Sequence, residues 1–304
     1  MKEETNLSAR PWANPASDDL GAHLSLSPLR SLPLATAHGR PTNGSPRPGA
    51  TPSDLSTETL YDRASGEWAR KEPILLSDYT ARPFLMDWCD PIKELDVLDL
   101  GCGEGYFARN LKVRGARSVH GIDLSSKMID QAREEEAREE LGISYEAGDA
   151  TDLRHLGDQS FDRVVAVFLF NYLDREQTLQ AMQAVARVLK PGGSFVFAVP
   201  HPGLPFILEE SPPFYFSPGD HGYFSGRDRL FEGEIYRRDG VAVPVRSVHK
   251  TFTDYFRCLR DAGFTAMPEV EELGVTEEMV TFDPDFFSPL LDQPLHLAFR
   301  LEKT

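Results

Sequence analysis

A glycine-rich turn follows a short apolar segment close to residue 100. The sequence VLDLGCGEGYFAR occupies residues 97–109 and places Gly101, Gly103 and Gly105 at alternate positions. Glycine lets a ligand approach the backbone closely, because it has no side chain to block the approach. Plain tight turns are also rich in glycine, so this turn predicts a nucleotide-type site only where its surroundings support one.

Carboxylates end the next two predicted strands and provide that support. Asp123 closes a strand in GIDLS, eighteen positions after Gly105, where a carboxylate can accept both hydroxyl protons of a ribose. Asp149 ends the following strand in AGDATDL. Asp123 alone could be a cap for the helix that begins near residue 126. A glycine turn and two acids at three consecutive strand ends together favour a cofactor site at one edge of a parallel sheet.

Predicted strands and helices alternate around these residues. The strands are 95–100, 118–122, 143–147, 161–168 and 194–199, and the helices are 58–68, 75–90, 106–113, 126–141 and 176–189. Such alternation is typical of βαβ units and a parallel sheet. With two later strands, 266–271 and 295–301, it predicts an α/β fold. We expect a Rossmann-like, doubly wound, mostly parallel seven-stranded sheet with helices on both faces.

The later part of the chain has a different pattern. Segments 230–236 and 241–248 are rich in residues that favour strands, and they flank Asp239-Gly240. An Asp-Gly pair between two such segments indicates a β-hairpin. We expect residues 57–304 to form one domain in which residues 201–250 are an insert that contains this hairpin and covers the substrate.

Charge and composition exclude several classes of protein. The 304 residues include 48 Asp and Glu but only 32 Lys and Arg, which gives a net charge of -16. A protein that tracks phosphates needs clustered cations, so nucleic-acid binding is disfavoured. No apolar run approaches the roughly 20 residues that cross a bilayer. The 3 cysteines are widely spaced, which fits a reducing compartment and argues against a structural metal site. We therefore expect a cytoplasmic protein with no metal and no membrane partner.

The first 56 residues differ from the rest. Residues 1–56 are rich in Ser, Pro, Ala and Gly and show no apolar periodicity. Such a segment buries too little surface to offset its chain entropy, so it predicts a disordered tail. No acid occurs between Asp19 and Asp54, while Arg and Ser recur, which is also typical of an organelle transit peptide. Glu3 and Glu4 argue against targeting, and both interpretations remain open.

The motifs, taken in order, resemble those of class I S-adenosylmethionine-dependent methyltransferases. The matching segments are DLGCGEG, GIDLS, GDATDL, FDRVVAVFLFNYL and RVLKPGGSFVFAVP, and the resemblance covers about residues 57–200. Within that family the chain looks most similar to small-molecule methyltransferases of the quinone-biosynthesis type. The resemblance implies S-adenosyl-L-methionine as cofactor and methyl transfer to an O, N or C nucleophile of a small molecule.

The resemblance also implies which residues bind the cofactor. They are Tyr61, Trp68, Asp99, Gly101, Cys102, Gly103, Gly105, Asp123, Leu124, Met128, Asp149, Ala150 and Phe168. Asp99 and the turn would hold the methionine part, and Asp123 would bind the ribose hydroxyls. Leu124, Met128, Asp149 and Ala150 would surround the adenine, and Phe168 would lie near the methyl donor. Tyr61 and Trp68 resemble lid residues, although plain packing explains them equally well.

A dinucleotide site fits this turn less well. The glycines follow GxGxG rather than GxGxxG, and Asp99 precedes the first of them by two positions. A carboxylate there suits the ammonium group of a methionine moiety, whereas it would repel a pyrophosphate. A nicotinamide-dependent oxidoreductase is therefore the weaker hypothesis.

The methyl acceptor is the least determined part of the site. His201 follows the fifth strand and is the candidate general base, although it could simply form hydrogen bonds within a loop. Phe214, Tyr223 and His249 are the candidate substrate residues. Residues 212–226 form an aromatic, glycine-rich segment that could be a lid or a small core of its own.

Three alternatives to a small-molecule methyltransferase differ in class. The segment 170–172 lacks the prolines typical of enzymes that methylate nucleic-acid bases, which with the acidic charge disfavours nucleic acid. A protein methyltransferase stays possible, as does a cofactor-binding scaffold that has lost the chemistry. We expect a monomer or a homodimer.

Overall fold

Ten β-strands and ten α-helices make up the part of the chain described by the computed structural model, residues 56–68, 70, 72–207 and 209–304. The strands are β1 (Asp96–Leu100), β2 (Ser118–Asp123), β3 (Ser144–Ala147), β4 (Phe161–Val167), β5 (Leu189–Pro200), β6 (Phe214–Ser217), β7 (Leu230–Tyr236), β8 (Ala242–Val248), β9 (Glu269–Leu273) and β10 (His296–Glu302). Apart from Ser56, the segment predicted to be a disordered or targeting tail lies outside the described residues.

Seven of these strands form the central sheet, in the order β3-β2-β1-β4-β5-β10-β9. Strand β1 pairs in parallel with β2 and β4, β2 pairs in parallel with β3, and β4 pairs in parallel with β5. Strand β10 runs antiparallel to both β5 and β9. The predicted mostly parallel, seven-stranded sheet is therefore confirmed.

Helices cover both faces of this sheet. They are α1 (Thr57–Trp68), α2 (Leu76–Thr80), α3 (Arg82–Trp88), α4 (Tyr106–Val113), α5 (Ser126–Glu139), α6 (Arg175–Val188), α7 (Leu204–Ile207), α8 (Phe252–Asp261), α9 (Glu277–Phe282) and α10 (Pro284–Phe287). Helices α3, α4 and α5 contribute to the apolar core on one face, and α6 and α8 contribute to the core on the other. This is the doubly wound arrangement that the alternating pattern predicts.

The single helix predicted over residues 75–90 is wrong. The structure has two helices there, α2 and α3, joined at Ala81, where φ is -114° and ψ is -48°. Pro83 lies in the first turn of α3. Proline has no backbone N–H to donate into a preceding helical turn, so it begins a new helix more readily than it continues an old one.

A second, three-stranded sheet lies in the later part of the chain. Strand β7 pairs antiparallel with β6 and with β8, and Tyr236 is opposite Ala242 at the hairpin end. The predicted hairpin is thus confirmed. The sequence analysis missed β6, which is only 4 residues long and lies in the segment interpreted as a loop. We call β6, β7 and β8 the small sheet.

The small sheet has its own apolar core. Phe214, Phe231 and Val243 from its three strands pack with Leu75 and Leu76 at the start of α2. None of the helices in the described part of the chain is both long enough and apolar enough to cross a membrane.

Candidate functional site

A cavity of about 280 Å³ opens at the carboxyl ends of the parallel strands. Its lining includes a residue that ends or directly follows each of the five parallel strands: Gly101, Asp123, Gly148, Phe168 and Pro200. Open α/β sheets bind their ligands at this edge. The cavity therefore lies where the sequence predicts the cofactor.

The glycine turn is held in a conformation that only glycine adopts freely. Gly101, Gly103 and Gly105 have φ values of 77°, 55° and 83°. A Cβ atom added to Gly103 would meet nothing within 4 Å, whereas one added to Gly105 would collide with the phenol of Tyr145. Gly103 is thus left open toward a ligand, and Gly105 is required by the packing of the turn itself.

Asp99 is a buried carboxylate with an unused oxygen. It is 1% exposed and lines the cavity. Among the described residues, no group forms a hydrogen bond with its Oδ2 atom. Burial, and then the charge of Asp123, raise the pKa of Asp99 to about 7. A buried acceptor without a partner is costly unless a ligand satisfies it, and a cationic ligand group would also favour the ionised form.

Asp123 connects the glycine turn to the following helix. Its Oδ2 accepts a hydrogen bond of 2.8 Å from the Gly103 N–H, and its Oδ1 accepts one of 2.9 Å from the Ser125 N–H. Ser125 is itself the N-cap of α5, since its hydroxyl accepts from the Met128 N–H. The interpretation of Asp123 as a simple helix cap is therefore wrong. Burial raises the pKa of Asp123.

Four further predicted cofactor residues line the same cavity. Leu124 is 48% exposed, whereas Met128 and Ala150 are buried. Asp149 is exposed, and its Oδ1 accepts hydrogen bonds of 2.8 Å from both the backbone N–H and the hydroxyl of Thr151. This part of the lining combines apolar surface with one oriented carboxylate.

Helix α1 contributes two aromatic side chains to the lining. The Tyr61 hydroxyl donates a hydrogen bond to the Tyr172 hydroxyl, and the two rings lie 5.1 Å apart. The Trp68 ring lies 5.6 Å from that of Tyr61. The Ser125 hydroxyl donates to Asp62 at 2.6 Å, which ties α1 to the start of α5. Both aromatic residues line the cavity, and both also pack within the protein.

Comparisons with known proteins bear directly on this site. A family profile described as a methyltransferase domain matches residues 97–193. The demethylmenaquinone methyltransferase of Deinococcus radiodurans is 41% identical over 149 residues, 48% of this chain and 54% of the relative. A ubiquinone biosynthesis O-methyltransferase of Neisseria meningitidis is 28% identical over 142 residues, 45% of this chain and 59% of the relative. The chain thus spans little more than half the length of these curated relatives.

A solved structure extends the likeness beyond that segment. The crystal structure of an S-adenosylmethionine dependent methyltransferase from Mesorhizobium loti matches with a TM-score of 0.55 at 28% identity. The match covers 72% of this chain and 96% of that one. The chain contains a class I S-adenosylmethionine-dependent methyltransferase domain.

The residues of the methyltransferase domain fit S-adenosylmethionine, its cofactor. The unused Asp99 Oδ2 is a suitable acceptor for an ammonium group. The open space beside Gly103 admits a ligand close to the backbone. Among the described residues, no group of three or more His, Cys, Asp or Glu side chains is arranged to hold a metal ion.

Buried ion pairs hold the glycine turn of the methyltransferase domain in place. The sequence alone does not predict them. Glu104, in the middle of the turn, pairs with Arg70 and Arg109, each at 2.9 Å. Arg70 also pairs with Asp78 at 2.9 Å. A buried charge needs such partners. Glu104 therefore anchors the turn to the segment that follows α1, and the sequence gives no sign of these distant partners.

The small sheet also contributes to the cavity lining. Phe214 and Phe216 of β6, Ile235 of β7 and Val245 of β8 all line the cavity. Phe214, one of the predicted substrate residues, is therefore brought to the site. Phe214 and Phe216 of the aromatic segment belong both to the core of the small sheet and to the cavity lining. The role of the segment as a lid stays a prediction.

Tyr223 and His249 lie elsewhere in the insert. Neither belongs to the cavity lining. His249 Nε2 donates a hydrogen bond to the Tyr223 carbonyl at 2.8 Å, and its ring stacks on Phe231 at 5.3 Å. The Tyr223 hydroxyl accepts from the Phe252 N–H at 3.1 Å. Both residues thus form contacts within the protein, away from the cavity.

His201 is also not brought to the cavity. It is 7% exposed, and both of its ring nitrogens have protein partners. The Gly203 N–H donates to His201 Nδ1 at 3.1 Å, so Nε2 carries the proton and donates to Glu272 at 2.8 Å. The histidine that does line the cavity is His296, at the start of β10. The sequence predicts a strand there, but it gives no sign that His296 belongs to the site.

Proposed function

We propose that the protein transfers a methyl group from S-adenosylmethionine to a small-molecule acceptor with a largely apolar body. One observation carries this proposal. One cavity is lined both by the glycine turn, Asp99 and Asp123 and by apolar side chains of the small sheet. A cofactor and an acceptor can therefore meet in one partly enclosed space.

The cofactor end of the cavity suggests how each part of S-adenosylmethionine is held. Asp99 receives the ammonium group, with the turn 101–105 beneath the methionine chain. Asp123 accepts from the ribose hydroxyls through the lone pairs that its two backbone donors leave free. Leu124, Met128 and Ala150 enclose the adenine, and Asp149 accepts from its amino group. Tyr61 and Trp68 cover the cofactor from α1, and Phe168 lies beside the sulfonium.

The chemistry requires placement more than a reactive side chain. When bound, S-adenosylmethionine supplies an electrophilic methyl carbon on a positively charged sulfur. The protein has to hold the acceptor in line with that carbon and exclude water, and orientation alone can supply about 7–11 kcal/mol of the barrier reduction. Phe168, Phe214 and Phe216 provide rigid apolar walls for this purpose.

The apolar roof favours a small molecule over a macromolecule. Phe214, Phe216, Ile235 and Val245 give the acceptor part of the cavity an apolar roof. A nucleic acid would also meet a chain with a net charge of -16. A protein substrate would have to insert one side chain beneath the small sheet.

Release of S-adenosylhomocysteine provides the test. Purified protein is incubated with S-adenosylmethionine and pools of small aromatic hydroxyl, amine and carbon-acid compounds, and the product is measured by mass spectrometry. We expect at least one pool to yield S-adenosylhomocysteine and a methylated compound in equal amounts. Tight cofactor binding without turnover in any pool would instead identify a cofactor-binding scaffold.

A further inference from the structure

His296 occupies an unusual place in the cavity wall. It begins β10, where antiparallel pairing puts it opposite Pro200, the last residue of β5. Its ring lies 5.0 Å from that of Phe168 and 6.0 Å from that of Phe214. Both phenylalanines line the same cavity. His296 therefore lies between the residue proposed to be next to the sulfonium and the roof proposed to cover the acceptor.

A chain of hydrogen bonds fixes which nitrogen of His296 carries the proton. The Thr80 hydroxyl donates to the Leu76 carbonyl at 3.0 Å, so its single proton is already used. The same hydroxyl oxygen lies 2.9 Å from His296 Nε2 and can only accept there. Nε2 is therefore protonated, and Nδ1 has a free lone pair.

That lone pair has no partner in the described parts of the chain. Nδ1 of His296 is buried and forms no hydrogen bond there. His201, by contrast, has protein partners on both nitrogens. Buried polar atoms are nearly always satisfied, so an exception beside a binding cavity indicates that a ligand group completes it. The group must be a hydrogen-bond donor.

We propose that His296 Nδ1 binds and accepts the hydroxyl proton of the methyl acceptor, which makes the reaction an O-methylation. This inference rests on the proposed function. The acceptor oxygen forms a bond to the methyl carbon, and the carbon–sulfur bond breaks with its electron pair going to sulfur. The hydroxyl proton passes to Nδ1 and leaves to water after the product departs. Thr80 acts as a positioning residue that holds the ring in the required tautomer.

The surroundings of His296 keep the ring neutral. Burial, and then the positive charge of Arg82, lower the pKa of His296 to about 3. The Nδ1 lone pair is therefore available at pH values near neutrality. Such a weak base does not ionise a hydroxyl in advance. It can still take the proton as the new bond forms, because a methylated, protonated oxygen is a far stronger acid than an imidazolium ion.

The tautomer can be observed directly by nitrogen NMR of protein labelled with ¹⁵N-histidine. We expect the His296 ring to be neutral at pH 7, with the proton on Nε2. In Thr80→Val the acceptor for that proton is lost, and we expect the Nδ1-protonated form to become populated. An imidazolium ring or an Nδ1-protonated ring in the wild-type protein would overturn the inference.

Ligand binding tests the role of the lone pair. The probes are phenol and toluene, which differ in a hydroxyl and a methyl group, titrated into protein saturated with S-adenosylhomocysteine. We expect phenol, but not toluene, to shift the Nδ1 resonance of His296. We also expect His296→Phe to lower the preference for phenol over toluene by about tenfold, the value of one hydrogen bond. His120→Phe, a half-buried histidine outside the cavity lining, is the matched control and should keep the preference.

The outcomes separate this inference from the proposed function. Failure of S-adenosylhomocysteine to bind would overturn the proposed function. Normal binding of S-adenosylhomocysteine, together with an Nδ1 resonance that phenol leaves unchanged up to its solubility limit, would overturn only the role of His296. An unchanged preference in His296→Phe would do the same.

Discussion

Asp99, Asp123 and Asp149 end three neighbouring strands, but their surroundings differ. Asp99 is 1% exposed and has an unused oxygen, Asp123 accepts from two backbone N–H groups, and Asp149 is exposed and accepts from Thr151. A buried carboxylate discriminates for positive charge more strongly than an exposed one, because water screens it less. This difference supports the proposal that Asp99 receives the ammonium group of the cofactor and that the other two accept from neutral donors.

The substitution Asp123→Asn should weaken cofactor binding. Asparagine keeps one acceptor oxygen for the backbone but loses the charge and the lone pairs that a ribose diol needs. Hydrogen bonds to a charged group contribute about 1.5–3 kcal/mol, so we expect the Kd for S-adenosylhomocysteine to rise by at least about tenfold. Isothermal titration calorimetry measures it, with Asp152→Asn, outside the cavity lining, as the control. An unchanged Kd would remove Asp123 from the ribose role.

The substitution Asp99→Asn should affect stability and binding in opposite directions. Burial raises the pKa of Asp99 from its ordinary 3.8 to about 7. Between those values the folded state holds a proton that the unfolded state has lost, so the free energy of unfolding falls as the pH rises through this window. Asparagine does not ionise, so the variant does not lose this part of its free energy of unfolding as the pH rises. At pH 8 we expect the ligand-free variant to have a Tm a few degrees above that of the wild type.

The same variant should bind the cofactor less well. Ionised Asp99 attracts an ammonium group, so wild-type affinity for S-adenosylhomocysteine should increase from pH 6 to 7.5, whereas that of Asp99→Asn should stay low and flat. Thermal unfolding with and without ligand across this pH range measures both effects. A lower Tm for the ligand-free variant at pH 8 would contradict the assigned environment of Asp99.

The sequence predicts site residues well only where they lie at the ends of strands that are consecutive in the chain. Asp99, Asp123 and Asp149 lie at the carboxyl ends of consecutive parallel strands, so their meeting point can be derived from the βαβ pattern. His296 reaches the cavity through antiparallel pairing of β10 with β5, opposite Pro200. Nothing near residue 296 indicates that partner. His201 directly follows β5, which predicts a place at the site, but its ring forms hydrogen bonds with Gly203 and Glu272 instead.

At the scale of elements, the glycine turn joins β1 to α4 and is shaped by its neighbours. The N–H groups of Gly101 and Cys102 both donate to the Ile122 carbonyl, at 2.7 and 3.0 Å. Gly105 is the N-cap of α4 in a left-handed conformation, and Tyr145 of β3 packs against it. The turn is therefore fixed by β2 and β3 before any ligand arrives.

The substitution Gly105→Ala should destabilise the protein more than Gly142→Ala. Both glycines have similar positive φ values, 83° and 80°, so alanine costs about 1–2 kcal/mol of conformational strain at each. Only at Gly105 would the new Cβ collide with Tyr145, while Gly142 has open space. Overpacking adds about 1–3 kcal/mol. Chemical denaturation of the ligand-free variants measures the difference, and equal free energies of unfolding would contradict the packing described for the turn.

Element types followed from the sequence more reliably than element boundaries did. Strand β2 and helix α4 begin where hydrophobic periodicity predicts, because each buries a regular apolar face. The break between α2 and α3 was missed, although Pro83 provides a signal for it. Strand β6 was missed because 4 residues are too few to show a period.

At the scale of the whole molecule, the site is assembled from three separate parts of the chain. The sheet edge supplies the cofactor end, helix α1 supplies Tyr61 and Trp68, and the small sheet supplies the roof. The buried pairs of Arg70 with Glu104 and Asp78 join the segment after α1 to the turn and to α2. The sequence predicts the order of the sheet edge, α1 and the hairpin of the small sheet along the chain. It does not predict that all three line one cavity.

We expect this cavity to bind S-adenosylmethionine rather than a dinucleotide. The most direct measurement is the thermal unfolding of the purified protein with S-adenosylmethionine, S-adenosylhomocysteine or NAD. A ligand present at a hundredfold excess over its Kd stabilises the folded state by about 2.7 kcal/mol. We predict that both sulfur compounds raise the Tm by several degrees and that NAD leaves it unchanged. Stabilisation by NAD alone would contradict the account.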